Sequence, residues 1–161
     1  MEVLTVRDDL PGSSPVMVLR ELNGAQRLLP VFIGEPEAMA INFALNGVVT
    51  PRPLTHDLLI ETLRELNVTL VSVTITHVLS GTYYAELRLQ SADGTERSIS
   101  ARPSDSVALA VRTNTPIFVS DEVLEESGIE ADLEGEGSES PDELAEFREF
   151  LDSVNPDDFN A

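Results

Sequence analysis

Residues 83–119 read YYAELRLQSADGTERSISARPSDSVALAVRTNTPIFV, and their punctuation decides the fold. Apolar and polar residues alternate over 83–90, Asp93-Gly94 signals a tight hairpin, and 95–101 returns as a second strand. Ser104-Asp105 then opens a helix running to about Asn114, because a hydroxyl or carboxylate side chain can satisfy the unpaired N–H groups of a first turn. Pro116 to Val119 is a short buried strand, and 121–127 a short helix. Strand, turn, strand, helix, strand is the order of an α+β domain.

Working outward, 68–79 reads as a long strand with Val71, Val73 and Ile75 on one face, and Gly81-Thr82 turns it into the strand at 83. His77, on the mostly apolar face, reads as a core histidine. The amino-terminal third has the same grammar. Strands are expected at 2–7, 15–21 and 27–33, with Asn23-Gly24 as hairpin turn. Glu35-Pro36-Glu37 starts a helix with Met39, Ala40, Phe43 and Ala44 on its buried side, ending near Asn46-Gly47. A shift of 70 residues lays Gly24 on Gly94, Arg27 on Arg97, Ala38 on Ala108 and Ala40 on Ala110. The expectation is therefore an α+β domain with a mixed β-sheet, built by internal duplication of a strand-strand-strand-helix unit. In that register Glu35 is the counterpart of Asp105. Between the units, VVTPRPL (48–54) is a loop, and Thr55 caps a helix over about 56–66 with Leu59, Leu63 and Leu66 as its apolar stripe.

The domain spans 1–130. A linker rich in acid, Gly and Ser follows at 131–140, then a capping box and an amphipathic helix at 141–154 carrying Leu144, Phe147, Phe150, Leu151 and Val154, and a tail at 155–161. Of the 161 residues, 29 are Asp or Glu and 10 are Arg, a net charge of -19. Residues 120–161 hold 16 of the acids and only Arg148 among the bases, so the first 119 residues are close to balanced. An acidic stripe-bearing helix implies a docking surface on its own core, a second subunit or a partner protein. The chain has no Cys, which excludes disulfides, thiolate metal sites and a thiol nucleophile. It has no apolar run long enough to span a membrane and no recognisable leader, so a cytoplasmic protein is expected.

Two segments share a pattern that can carry chemistry: Arg52-Pro53-Leu54-Thr55-His56-Asp57 and Arg102-Pro103-Ser104-Asp105. Each sets an arginine before a helix start bearing a hydroxyl and a carboxylate. Unpaired N–H groups, the helix dipole and a guanidinium fork all favour phosphate oxygens, so Arg52, Arg102, Thr55 and Ser104 are candidate phosphate-binding residues. Asp57 and Asp105, with Glu37, are candidate ligands for a divalent cation such as Mg or Mn. His56, Asp57, Asp105 and Glu35 are candidate catalytic residues for phosphodiester hydrolysis. The same residues also have a purely structural role, since helix N-termini prefer acids and hydroxyls in any case. No glycine-rich phosphate loop and no basic aromatic patch is present, so binding to nucleic acid should be weak.

The chain resembles the bifunctional nuclease family through IGEPEAMAI (33–41), RPLTHDL (52–58), GTYYAEL (81–87), ARPSDSVALAVR (101–112) and PIFV (116–119). The resemblance covers about residues 1–130. It implies an α+β domain that associates with itself and a nuclease acting on RNA and DNA. It supplies no assigned catalytic set. Plant members carry a further C-terminal module where this chain has its acidic linker and helix. The alternative is a non-enzymatic binding or regulatory module that uses the anion-receptive helix starts and an acidic docking tail.

Overall fold

The computed structural model describes residues 1–7 and 14–130. Strands β1 (Glu2–Arg7), β2 (Val16–Arg20) and β3 (Leu28–Phe32) form an antiparallel meander in that order, followed by helix α1 (Glu35–Leu45). Helix α2 (Thr55–Glu65) comes next. A second meander, β4 (Val68–Leu79), β5 (Thr82–Ser91) and β6 (Glu96–Ala101), leads into helix α3 (Pro103–Thr113), and the described chain finishes with β7 (Ile117–Val119) and α4 (Asp121–Ser127). The fold is α+β, as expected, but it has two sheets. Only the second is mixed, in the order β6-β5-β4-β7, because α3 carries the chain across so that β7 lies parallel to β4. The expected linker, amphipathic helix and tail at 131–161 lie outside the described residues.

Both sheets and the helices bury their apolar faces in one core. Met17, Leu19 and Leu29 come from the first sheet, Val73, Ile75 and Leu87 from the second, with Ile41 of α1, Leu109 of α3 and Val123 of α4. Helix α1 packs on α3, and the small residues Ala38, Ala40, Ala108 and Ala110, all buried, let the two backbones approach closely. The ends of the described domain cross over. The Met1 ammonium donates to the Ile117 carbonyl at 2.8 Å, while Ile129 and Leu28 exchange two backbone hydrogen bonds, both 2.8 Å.

Each unit is three strands and a helix, and the turn glycines Gly24 and Gly94 share the left-handed φ of 87° and 85° that only glycine adopts freely. The offset of 70 stops there. Three residues separate Gly24 from β3, whereas one separates Gly94 from β6, so strands and helices downstream are related by 68. Burial agrees: Ala38, Ala40 and Ile41 correspond to Ser106, Ala108 and Leu109, all buried. The counterpart of Asp105 is therefore Glu37, not Glu35.

Other side-chain placements also differ from expectation. Met39 is 51% exposed; Ala38 and Ile41 turn inward in place of Met39 and Phe43. Helix α2 buries no residue fully, and of its expected stripe only Leu63 packs against the core, joined by Ile60, because α2 lies at the edge of the helical layer. A bulge between Leu70 and Ser72 displaces Val71 and gives Leu70 the core position. His77 is exposed, stacked on Tyr84 with ring centroids 4.5 Å apart.

Candidate functional site

Helices α1, α2 and α3 each carry a carboxylate at the third helical position: Glu37, Asp57 and Asp105. The preference is local, since an acid there faces the positive end of the helix dipole. What is not local is that all three are drawn together by two arginines. Arg102, in the capping position of α3, donates from Nε to Asp105 Oδ2 at 2.7 Å and from Nη2 to Asp105 Oδ1 at 3.1 Å. Its Nη2 also lies 2.7 Å from Glu37 Oε1, which ties the start of α3 to the start of α1. His56 approaches from α2, with Nε2 3.3 Å from Asp105 Oδ1. Asp57, next to it, accepts from the Leu54 N–H at 2.9 Å and from Arg112 Nε at 2.6 Å.

Arg112 is the deepest member. Only 9% of its side chain is exposed, and beyond Asp57 it donates to the carbonyls of Ala108 at 2.9 Å and Ala40 at 3.0 Å. It therefore fastens α2 and α1 to α3. Sequence reasoning passed over it because an arginine in the last turn of a helix reads as ordinary dipole compensation; the cue was its place in the ARPSDSVALAVR motif.

Burial opposes ionisation of Asp105, but hydrogen bonds from Arg102 and His56 outweigh it and hold its carboxyl below the usual carboxylate range. At Asp57 burial again opposes, and Arg112 and the Leu54 N–H prevail. Arg102 is pushed further above the ordinary arginine value, by Asp105 first and Glu37 second. Asp57, Asp105 and Arg102 are thus charged at neutral pH; the Arg102 side chain is 64% exposed and that of His56 14%.

Of the residues singled out in the sequence, His56, Asp57, Asp105, Glu37 and Arg102 come together. Arg52 and Glu35 are exposed, and no side-chain hydrogen bond or ion pair among the described residues joins either to the cluster. The similarity of the two Arg-Pro segments breaks at the helix frame: Arg102 occupies a capping position, but α2 begins two residues after Pro53, so Leu54 takes that place and Arg52 stays outside. Thr55 is consequently the first helical residue and not a cap; Asp57 serves the capping N–H instead. Ser104 is not a cap either. Pro103 opens α3 with its fixed φ, which puts Ser104 inside the first turn, buried.

The donors expected to hold a divalent cation do not assemble as one. Glu37 and Asp105 share Arg102 as counterion, Asp57 has Arg112, and no group of three or more His, Asp or Glu among the described residues is arranged to hold a metal ion. The residues present fit an arginine between carboxylates better than a cation.

Fold and site together define a class: an α+β domain of two strand-meander-plus-helix units, with a histidine, carboxylate and arginine cluster where three helices begin. The bifunctional nuclease domain matches residues 17–132, and the chain belongs to that family. It is 44% identical over 165 residues to an uncharacterized protein of Mycobacterium tuberculosis, covering 100% of this chain and 98% of that one. Similarity extends to plants. Bifunctional nuclease 1 of Oryza sativa subsp. japonica is 29% identical over 129 residues, covering 79% of this chain and 38% of the rice protein. Bifunctional nuclease 2 of Arabidopsis thaliana is 28% identical over 115 residues, covering 69% and 35%. The chain thus matches little more than a third of the plant proteins' length.

Proposed function

We propose that this chain is a nuclease that hydrolyses phosphodiester bonds of RNA and DNA at the His56–Asp105–Arg102 cluster. The observation that carries the reading is the contact of His56 Nε2 with Asp105 beside an exposed guanidinium. Family membership and the names of the plant relatives support it. With its Nε2 proton directed to Asp105, His56 keeps the Nδ1 lone pair as a general base. A water oxygen forms the new bond to phosphorus as its proton passes to Nδ1. The bond to the leaving sugar oxygen breaks, and the imidazolium returns the proton to that oxygen. Arg102, anchored through Nε and Nη2, presents its remaining N–H groups to the non-bridging oxygens, where negative charge grows in the transition state. Asp105 orients the ring and stabilises its protonated form.

A labelled single-stranded oligonucleotide incubated with protein repurified to constant specific activity tests this. Asp105→Asn and His56→Gln should each lower cleavage by at least ~100-fold in folded protein. Because the carboxylates are committed to arginines, EDTA should leave the rate within about twofold; cleavage that requires Mg²⁺ or Mn²⁺ would mean the cluster rearranges to admit a cation. The non-enzymatic alternative is a phosphate-binding module, which the exposed Arg102 guanidinium at the start of α3 favours and for which an anion competes with its two carboxylates. Under that alternative the variants lose binding of inorganic phosphate and the parent cleaves nothing.

A further inference from the structure

A groove of about 470 Å³ has Arg102 in its lining and does not include His56. One wall is the end of β3 and its junction with α1, where Val31, Phe32 and Gly34 lie. The β4–β5 turn adds Gly81, Thr82 and Tyr83, and the start of α3 adds Arg102 and Ser104. Two features are unusual for a surface groove. Phe32 is a large aromatic residue left 40% exposed on an edge strand. Ser104 is only 6% exposed, yet its hydroxyl has no hydrogen-bond partner among the described residues. An aromatic surface, a solvent-accessible hydroxyl on an otherwise buried serine and a guanidinium in one groove offer, in order, a stacking face, a hydrogen-bonding group and a phosphate contact.

Resting on the nuclease reading, we infer that this groove is a base subsite: an unpaired nucleobase adjoining the scissile phosphate stacks on Phe32 while Arg102 holds the phosphate. Every base has a π face, so stacking accepts any sequence but requires a base out of its duplex. A paired base is already stacked on both sides and cannot enter. Single-stranded nucleic acid is therefore the substrate class, and a chain with only ten basic residues suits it, because stacking supplies what phosphate contacts alone would otherwise have to supply.

The chain has no Trp, so Phe32→Trp creates a single fluorescent reporter in the groove. Titration with single-stranded oligodeoxyadenylate should quench it, whereas the same strand annealed to its complement, or inorganic polyphosphate, should not. Phe32→Ala should weaken binding of the single strand about tenfold by anisotropy with little change for polyphosphate. Equal quenching by duplex or polyphosphate would overturn the subsite and leave a purely electrostatic contact, as would an unchanged affinity in Phe32→Ala. Because both readouts are binding, they separate the two readings: quenching without cleavage in any preparation removes the nuclease assignment and keeps the subsite. Cleavage that Phe32→Ala slows equally on single strands and duplexes does the reverse.

Discussion

The two strand-meander-plus-helix units differ most at the point where their helices begin. In the first, Gly34 occupies the capping position of α1 and contributes no side chain; in the second, Arg102 occupies that of α3 and reaches two carboxylates. At the last turn the contrast repeats: Ala44 stands where the 68-residue offset puts Arg112. The second unit thus supplies both arginines, and the first supplies a carboxylate, Glu37, and a backbone acceptor, Ala40. A repeated frame has been divided into complementary roles, so the Arg102–Glu37 part of the site forms where the two units meet, and α2 adds His56 and Asp57.

The largest effect should come from the residue with no counterpart in the first unit. Arg112→Ala leaves Asp57 without its ion pair and removes the tie from α3 to the Ala40 carbonyl, and should cost about 3 kcal/mol in urea unfolding. Substituting Ala44 by Ser should change stability by less than about 0.5 kcal/mol. If the two variants are equally mild, the asymmetry is cosmetic. Next is the choice of register. Glu37→Gln should lower cleavage about tenfold by loosening Arg102, whereas Glu35→Gln should do nothing measurable; the opposite result would restore the 70-residue alignment through the helices.

Acid sharpens the same division. Asp57 and Asp105 both titrate below their ordinary 3.8 in the folded protein. Their ionised forms therefore stabilise the fold above that value, and the contribution is lost as pH falls through the folded values. The double variant Asp57→Asn, Asp105→Asn should flatten the loss of stability below about pH 4 in a urea-midpoint series. The smallest effect tests what the units still share. Gly24→Ala and Gly94→Ala both force an L side chain into positive φ, and each should cost about 1 kcal/mol, equal within error.

Element order was legible because each boundary had a local cause: Asn23-Gly24 and Asp93-Gly94 demand turns, Pro36 and Pro103 sit where a helix begins, and Asn114 accepts the left-handed C-cap of α3. Facing was less legible. Periodicity finds a stripe but not how much of it a neighbour covers, so the leucines of α2 and Met39 of α1 read as core although their helix faces lie at the edge of the layer. The bulge at Val71 has no local signature, and one added residue shifts the face of everything before it. At the site, carboxylates and His56 could be named from sequence, but their counterions could not. Arg52 and Arg102 look alike within four residues; only the helix frame decides which one points at an acid. The Arg112 contacts span 55 and 72 residues, beyond any local pattern.

The crossed ends have a mechanical meaning. The first residue is held by β7 of the second sheet, and Ile129 is held by β3 of the first, so neither half can peel away without releasing the other. With one shared core as well, heating should melt the pair in a single cooperative transition. A chain cut within 48–54 should yield two pieces that stay unfolded alone and regain structure when mixed, the stoichiometry of recovery being one to one.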